Sequence, residues 1–533
     1  MATTTHEMWV LGKPQPGNGE LSPSPAPLTQ HRPANPTSIP IEDPSTGEIF
    51  AHVHSASPSD VTHTLSLAHA SHLSGIWSRT PAHHRADILD RIALLLPQYL
   101  PSLIATEVRQ TGRPLRELRA QIPSLVRWFK YYASLLRVHE SAVLPTQGKL
   151  HNFLTRRPLG VVVLITPFNH PLLICVKKLA PALAAGNTVV VKPSELTPLT
   201  TLKLAEILAE AGLPEGVVSV LPGYGAVTGR ALVEDARVRK VDVTGSTGAG
   251  RAIGSVVGGN LAKFTAELGG KAPLVVFDRA DVGAAVNGVA FASFMASGQT
   301  CIAATRILVQ KGVVGEVRKG VLGKMDGIRR RIGAPGNEGC MMGPIVSARQ
   351  LENVQNLVQS AREEGLKVVV GGERMTGKSE LDGSDLSKGY YYAPTLIEAP
   401  EGVDVTKTRI WKEEVFGPVI VLQPFETEEE AIRLANDSEF GLGAAIWTQD
   451  LSQAHRVSDQ IEAGICWVNT HHRNDPSSPW GGVGSSGVGS ENGIDAYHAY
   501  TTVKSTIFNY ASAEEAKATE DWFAEETKEV RYG

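Results

Sequence analysis

Strand-like and helix-like runs alternate along most of this 533-residue chain, and this alternation limits the folds that the chain can adopt. It predicts parallel sheets covered by helices on both faces, because a parallel connection needs a crossover helix. Apolar strand-like runs lie at Val161–Thr166, Thr188–Lys192, Val217–Leu221, Lys240–Val243 and Leu274–Phe277. Helix-like runs lie between them, at Leu172–Ala185, Leu199–Ala211, Gly225–Val233 and Gly250–Val257. We predict a doubly wound, Rossmann-like α/β unit.

The alternation continues beyond residue 285 and predicts a second α/β unit. Its runs are Arg306–Gln310, Val313–Ile328, Ala348–Glu364, Lys367–Gly371, Val419–Pro424, Thr427–Asn436, Gly443–Trp447 and Leu451–Ile461. Four helix-like runs precede the first unit, at Ser59–Gly75, Pro81–Tyr99, Leu100–Thr111 and Leu115–Val138. The predicted fold class is therefore α/β with two units.

The two ends of the chain differ in composition from its middle. Eight prolines fall within residues 1–40. Because proline disrupts helices and sheet interiors, we predict a largely irregular arm there, with Met8–Lys13 as a short edge strand. Residues 511–533 are rich in Glu, Lys and Ala, which predicts a helical or loose tail.

Composition and charge restrict the partners of the chain. The net charge is −4 and 42% of the residues are hydrophobic, so neither nucleic acid nor a membrane is predicted as a partner. The N-terminal residues lack the pattern of a secretory leader, and the four cysteines have no paired spacing. The histidine pairs at 52/54 and 69/72 lack a supporting cysteine or carboxylate cluster, so no metal is predicted. We predict a cytoplasmic protein.

A cysteine in an unusual setting is the strongest candidate for chemistry. Cys301 lies in the segment 298–306 (GQTCIAATR), among small and mostly uncharged residues, after the apolar helix-like run Ala285–Ala296. A thiolate is a strong nucleophile, so we predict that Cys301 attacks a substrate. The alternative is a small buried hydrophobe, which is the role that we predict for the other three cysteines.

Two further segments carry groups that would support a nucleophilic cysteine. Glu267, in the segment 267–271 (ELGGK), is the candidate base, and its alternative is a surface carboxylate at a strand end. Asn169, in the segment 166–171 (TPFNHP), is the candidate oxyanion donor, and its alternative is a turn former before Pro171.

Two strand ends have the chemistry of a dinucleotide site. Glu195 follows the strand-like run that ends at Lys192, where a carboxylate can accept hydrogen bonds from ribose hydroxyls and would repel a 2′-phosphate. This favours NAD over NADP. The segment 244–250 (TGSTGAG) follows a strand and opens a helix, as a phosphate-binding turn does. The alternative for Lys192 and Glu195 is an exposed charge pair at a strand end, and the alternative for the segment 244–250 is a glycine-rich helix start.

Together the segments at 166–171, 267–271 and 298–306 resemble the aldehyde dehydrogenase superfamily, from about Ile41 to Tyr510. The resemblance implies oxidation of an aldehyde to its acid through a Cys301 thiohemiacetal and thioester, which Glu267 hydrolyses with water. It implies proton relay by Lys178 and Glu491. The implied cofactor contacts are Ile165, Thr166, Pro167, Lys192, Glu195, Gly225, Gly245, Ser246, Gly250, Leu268, Glu414 and Phe416.

The resemblance also implies a domain organisation. Residues 41–141 and 159–271 would form the NAD-binding domain, 272–480 the catalytic domain, and 142–158 with 497–510 a bridging sheet for a homodimer or homotetramer. The chain departs from the usual family residues at Gly248, Ala249, Gly484 and Ser490. The GxGxxG match at 482–487 has no strand before it at the right distance, so we do not interpret it as a dinucleotide turn; it instead resembles a loop near the family's active site.

The substrate aldehyde does not follow from these motifs. A helix that resembles the one lining the substrate tunnel carries Trp128, Phe129, Tyr131 and Tyr132, with core packing as an equal alternative. The loop 470–476, with Arg473, is predicted at the tunnel mouth or as a solvated loop. A coenzyme-A-acylating enzyme and a catalytically silent binding protein are alternative functions. The presence of Glu267 argues against the first, and the presence of both Cys301 and Glu267 argues against the second.

Overall fold

The computed structural model describes residues 4–10, 12–16, 37–523 and 525. Most prolines of the N-terminal arm and the last eight residues of the predicted tail lie outside the described residues. The described part of the arm forms three short strands, Thr4–His6, Met8–Val10 and Lys13–Gln15. The predicted strand is confirmed at Met8–Val10, but its predicted edge position is wrong: it pairs antiparallel with Val218–Val220 on one side and with Lys13–Gln15, the edge strand, on the other.

The first predicted α/β unit is built on an eight-stranded sheet with five parallel strands at its centre. Its strands, in spatial order, are Gly487–Val488, Lys263–Glu267, Val238–Thr244, Val161–Ile165, Thr188–Lys192, Val218–Val220, Met8–Val10 and Lys13–Gln15. Lys263–Glu267 is not among the predicted strand-like runs, because this five-residue segment has only two apolar residues, Phe264 and Ala266. The run predicted at Leu274–Phe277 belongs to the other large sheet, as Ala272–Val276.

The second unit is a seven-stranded sheet that is parallel except at one edge. Its strands, in spatial order, are Lys367–Val370, Thr395–Glu398, Val419–Phe425, Ala304–Gln310, Ala272–Val276, Gly443–Trp447 and Ile465–Val468. Successive residues of a strand face opposite sides, so Leu274 and Val276 pack in one hydrophobic cluster and Val275 in another. Both faces of the sheet are therefore buried, as predicted for a parallel sheet.

The α-helices match the predicted runs closely, and proline and glycine account for several differences. The helices of the first half are Pro58–Ser74, Ala82–Leu95, Leu100–Thr111, Leu115–Gln121, Val126–Val138, Pro171–Ala184, Leu199–Glu210, Arg230–Glu234 and Thr247–Gly259. Those of the second half are Val282–Phe294, Val314–Arg329, Ala348–Glu363, Arg409–Lys412, Glu428–Asn436, Leu451–Gln460, Gly493–Ala499 and Ala513–Glu520. Short 3-10 turns that contain Pro97 and Pro123 interrupt two predicted helices. The run at Gly225–Val233 begins as the π-helical turn Gly225–Gly229.

Two three-stranded sheets complete the fold. Ser38–Asp43, Glu48–His54 and Thr4–His6 form one. In the other, Thr501–Asn509 pairs with Leu150–Pro158 over nine residues, and Val143–Leu144 extends the opposite side. Residues 497–499, predicted in this sheet, instead end the helix Gly493–Ala499, so the strand begins at Thr501.

One segment of the described chain, Ala82–Thr111, is long and apolar enough by composition alone to cross a membrane. A 3-10 turn interrupts it at Leu96–Tyr99. Leu89, Ile92 and Leu103 of this segment are fully buried in the core around the eight-stranded sheet. In the 18-residue apolar window of this segment, 28% of the residues are buried.

Two helical glycines offer a matched test of the packing. A Cβ on Gly288 would collide with the indole ring of Trp447, whereas a Cβ on Gly323 would meet no atom within 4 Å. We predict that Gly288→Ala destabilises the protein by about 1–3 kcal/mol through overpacking. Gly323→Ala should stabilise it by up to ~1 kcal/mol, because alanine favours helix. Thermal denaturation of the two variants beside the parent checks this; a rise in Tm for Gly288→Ala would contradict the packing described.

Candidate active site

Cys301 follows a backbone turn that few residues adopt. The helix predicted through Ala296 ends at Phe294, and Ala296, Ser297 and Gly298 then take left-handed backbone angles, with φ of 51°, 56° and 71°. Two non-glycine residues in that region carry strain, and such strain persists only where the surroundings hold it. A Cβ on Gly298 would collide with the Gly417 carbonyl.

Hydrogen bonds from several parts of the chain hold this turn. The Ala296 N–H donates to Glu117 Oε1 at 3.0 Å, and Ser297 Oγ donates to the Gly343 carbonyl at 2.8 Å. The side-chain oxygen of Gln299 accepts from the Val346 N–H at 3.0 Å. These contacts fix the position of Cys301 before any substrate arrives.

Glu267 ends the strand Lys263–Glu267, at the carboxyl edge of the eight-stranded sheet. Its side chain is 3% exposed, and neither carboxylate oxygen has a hydrogen-bond partner among the described residues. Burial raises the pKa of Glu267 well above its usual value, and the nearby Glu491 carboxylate raises it further. A carboxyl group in this state is a base of high pKa, not a surface carboxylate.

The chain after Glu267 passes directly against the chain at Cys301. A Cβ on Gly270 would collide with the Cys301 carbonyl oxygen, so only glycine fits there. The Gly270 N–H donates to Glu414 Oε1 at 2.9 Å. Burial raises the pKa of Glu414 to about 7. The two large sheets thus meet at the predicted base and the predicted nucleophile.

Cys301 and Glu267 line one cavity of about 720 Å³. Cys301 is partly buried, and its surroundings raise the pKa of the thiol to about 12, through burial first and then the carboxyl groups of Glu414 and Glu267. The thiol form therefore predominates in the protein without ligands. Cys175 and Cys340 are fully buried, and Cys466 is partly buried, in line with their predicted packing role.

The structure places Asn169 behind the Cys301 turn. Its Nδ2 donates to the Gln299 carbonyl at 2.9 Å, and its Oδ1 accepts from the His170 N–H at 3.0 Å. A primary amide has two N–H donors, so this contact uses one of them and leaves the other. Asn169 thus joins the turn to the end of the strand Val161–Ile165.

A buried network of charges adjoins Glu267. Lys178 Nζ lies 2.5 Å from Glu491 Oε1 and 2.5 Å from Asp242 Oδ1, and Lys177 Nζ lies 2.6 Å from Glu491 Oε2. Tyr500 Oη donates to Asp242 Oδ2 at 2.6 Å. The two lysines overcome the effect of burial and lower the pKa of Glu491 to about 2. Sequence reasoning identified Lys178 and Glu491 and missed the other three, which carry no local motif.

The carboxyl ends of the parallel strands form a cradle where the dinucleotide was predicted. Thr166 follows the strand Val161–Ile165, and Thr244 ends the neighbouring strand Val238–Thr244. Their Oγ1 atoms are buried without partners among the described residues. Ser246 caps the helix Thr247–Gly259, accepting from the Ala249 N–H, and that helix N-terminus carries no acidic side chain. A Cβ on Gly250 would collide with Leu268, so this glycine brings the helix against the strand end.

The remaining predicted cofactor residues lie around the same edge. Ile165 ends its strand, and Pro167 follows Thr166. Lys192 Nζ lies 3.9 Å from Glu195 Oε2, and Gly225 begins the π-helical turn beyond the next strand. Gly245 follows directly on the strand Val238–Thr244. Phe416 has a left-handed φ of 52°, and its ring packs edge-on against Phe168.

Only some of the aromatic residues predicted to line a substrate tunnel face the cavity. Trp128 lines the cavity, whereas Phe129 and Tyr132 are fully buried in the core, so only part of that helix faces the site. Trp480 lies in the cavity wall, and the loop around residues 481–489 packs beside Glu267, as interpreted for the GxGxxG match. His472, Arg473 and Asn474 of the loop 470–476 also line the cavity.

Comparison with known proteins agrees with this geometry. The family model described as "Aldehyde dehydrogenase family" matches residues 31–506. A betaine aldehyde dehydrogenase from Cereibacter sphaeroides is 42% identical over 469 residues, 88% of this chain and 93% of that protein. The crystal structure of betaine aldehyde dehydrogenase from Staphylococcus aureus in complex with NAD+ has a TM-score of 0.89 at 30% identity, covering 98% and 97% of the two chains. PnpE, known from Pseudomonas sp. WBC-3 and solved in complex with nicotinamide adenine dinucleotide, has a TM-score of 0.87 at 36% identity, covering 95% and 98%. The chain therefore belongs to the aldehyde dehydrogenase family.

Proposed function

We propose that this aldehyde-oxidising enzyme converts its substrate to a carboxylic acid with NAD, through a thioester on Cys301 that Glu267 hydrolyses with water. The observation that carries the proposal is the shared cavity of Cys301 and Glu267, held together by the contact of Gly270 with the Cys301 carbonyl. A nucleophile and a base on one cavity are what thioester formation and hydrolysis need.

The cradle at the strand ends fits a dinucleotide. Thr166 and Thr244 offer buried hydroxyls without partners, and the N-terminus of the helix Thr247–Gly259 favours an anion such as a diphosphate. Glu195 can accept hydrogen bonds from ribose hydroxyls and would repel a 2′-phosphate, which supports NAD over NADP. Two neighbours of similar structure were solved with NAD bound. Glu414 and Phe416 would hold the nicotinamide end.

Cys301 begins the reaction by attacking the aldehyde carbon. Its sulfur forms a bond to that carbon, and the carbonyl oxygen becomes an oxyanion. The backbone N–H of Cys301 and the second N–H of Asn169 would stabilise this oxyanion; in other enzymes one such donor contributes roughly 3–4 kcal/mol. Since the pKa of the thiol is raised to about 12, the attack needs a base to take its proton, and the Glu267 carboxylate on the same cavity would accept it.

Bound NAD supplies the acceptor for the hydride that the adduct loses, which leaves a thioester on Cys301. Glu267 then removes a proton from water, and the hydroxide attacks the thioester carbon. The acid leaves and the Cys301 sulfur is released. Lys177, Lys178 and Glu491 lie behind Glu267 and would pass its proton onward. General-base assistance of this kind contributes about 10²–10⁴-fold in rate.

A coenzyme-A-acylating reaction is the second candidate, and the position of Glu267 disfavours it. A free carboxyl group in the cavity would direct water to the thioester before a thiol could accept the acyl group. Betaine aldehyde, which a curated relative is named for, is a candidate substrate for this chain.

We further propose that the protein is cytoplasmic. We also propose a homodimer or homotetramer, because Thr501–Asn509 is a sheet edge with exposed apolar side chains at Val503, Ile507 and Phe508.

Replacing the two reactive groups should stop the reaction at different stages. Cys301→Ala should form no NADH from any aldehyde, because no adduct forms. Glu267→Gln should release one equivalent of NADH per site and then turn over about 10²–10⁴-fold more slowly, because its thioester persists. Stopped-flow absorbance and intact mass of the quenched protein check both. Steady NADH formation by Cys301→Ala would contradict the covalent route, and added coenzyme A that restores turnover would favour the acylating candidate.

The raised pKa of Glu267 sets the pH dependence of hydrolysis. The carboxylate is the active form, so the rate should rise with pH until the pH passes the raised pKa, and fall about tenfold per unit below it. Single-turnover decay of the thioester between about pH 5 and about pH 9 measures this step. Glu267→Gln should lose this dependence. A parent rate that is flat across the range would show that Glu267 is not the titrating base.

A further inference from the structure

Three cations without ion pairs surround the outer end of the active-site cavity. Arg116, Lys324 and Arg473 all line the cavity, are exposed, and belong to three separate parts of the chain: the helices Leu115–Gln121 and Val314–Arg329 and the loop 470–476. Within the described part of the chain, none of the three forms an ion pair. Cations that converge on one opening from separate elements create a positive field there.

The carboxyl groups of the cavity do not neutralise this field. Three line it, at Glu117, Glu267 and Glu491. Glu117 pairs with Arg113 at 3.2 Å, and Glu491 pairs with two lysines. Even with Glu267 ionised, the five arginines and lysines that line the cavity outnumber its three carboxyl groups. The outer end of the cavity therefore carries an excess of positive charge.

Deeper in the cavity, a buried guanidinium has an unused donor. Arg113 is 3% exposed; its Nε donates to Glu117 Oε2 at 3.2 Å and its Nη1 donates to Gln121 Oε1 at 2.7 Å. Its Nη2 is buried and has no partner among the described residues. A buried N–H that lacks an acceptor is costly, so a ligand that supplies an oxygen would be stabilised there.

A histidine pair beside Arg113 offers a second donor. His471 Nδ1 and His472 Nδ1 lie 2.6 Å apart, and both Nε2 atoms are buried without partners. Burial lowers the pKa of both rings, to about 3 for His471, so both are neutral. One Nδ1 must then donate and the other accept, which leaves one Nε2–H donor and one Nε2 acceptor in the pair. His472 lines the cavity.

The cavity also has aromatic and apolar walls. Trp128 and Phe294 are buried, Trp480 is partly buried, and Phe291 is half-exposed at the outer end, where its ring packs edge-on against His472. A cavity of about 720 Å³ has room for a ring-sized substrate. The exposed cations thus lie where the cavity reaches the surface, and the unused Nη2 of Arg113 lies among its buried lining residues.

We infer that the substrate is an aldehyde that carries an anionic group, such as a carboxylate, at the end away from the reacting carbon. The inference rests on the proposed function and deepens it. Arg116, Lys324 and Arg473 attract the anion, and Arg113 Nη2 with the histidine pair binds its oxygens. The same charges disfavour a cationic aldehyde such as betaine aldehyde.

Two sets of aldehydes, each with an anionic, a neutral and a cationic member, test this directly. The aromatic set is 4-formylbenzoate, 4-formylbenzamide and (4-formylphenyl)trimethylammonium; the aliphatic set is succinic semialdehyde, 4-oxobutanamide and betaine aldehyde. In at least one set, kcat/KM for the anion should exceed that of the neutral amide by about tenfold or more, and the cation should be poorest. The ratio should fall as NaCl rises from about 20 mM to about 500 mM, because salt screens exposed charges.

Two single variants separate the cavity charges from general surface charge. Arg473→Gln and Lys324→Gln should each lower the anion-to-amide ratio about two- to fivefold. Lys319→Gln removes an exposed lysine from the same helix as Lys324 but outside the cavity, and should keep the parent ratio. An amide or a cation that matches the anion in both sets would overturn the inference while leaving the proposed function intact. No NADH from any of the six aldehydes would overturn the proposed function itself.

Discussion

The close approach of two backbone segments at Gly270 and Cys301 is the constraint on which the rest of the site depends. One segment continues from the end of a strand in the eight-stranded sheet, and the other leads into a strand of the seven-stranded sheet. Because no side chain fits between them, the carboxyl group and the sulfur open onto one cavity. Gly269 has the same function, since a Cβ there would approach Glu414 Oε2. The pair of glycines therefore joins the two sheets, and the chemistry lies at that junction.

Burial of charge gives this junction its chemical character. Glu267 is buried without partners and has a raised pKa, while Glu491 is buried with two lysines and has a lowered one. Their surroundings thus separate two carboxyl groups of one site into one that readily takes up a proton and one that stays ionised, which is how enzymes assign proton-transfer roles. The network continues through Asp242 to Tyr500, immediately before the strand Thr501–Asn509. The proton-transfer groups are therefore connected to the sheet that we propose as the subunit contact.

Regular elements with strong patterns could be predicted from the sequence, and several bounds agree with the structure, such as Thr188–Lys192 and Leu100–Thr111. The strand that carries Glu267 could not, because it is short, has only two apolar residues, and its polar Thr265 and Glu267 are buried only by tertiary packing. The left-handed turn before Cys301 was hidden within an apolar run, and local pattern carries no signal for strain imposed by distant contacts. Motifs identified the groups of the predicted site, but the partners Lys177 and Asp242 became visible only when the fold brought distant segments together.

A structural variant at the junction tests the central claim most directly. Gly270→Ala would place a methyl group against the Cys301 carbonyl and should move the sulfur from its position beside Glu267. Pre-steady-state NADH formation, with Gly323→Ala as a control whose Cβ meets no atom within 4 Å and which lies outside the site, measures the effect on thioester formation. We expect the burst rate of Gly270→Ala to fall about 10²-fold or more, in line with the loss that a 1 Å displacement causes in other enzymes. A burst equal to the parent's would contradict the account, because the contact between the two segments would then not position the reacting groups.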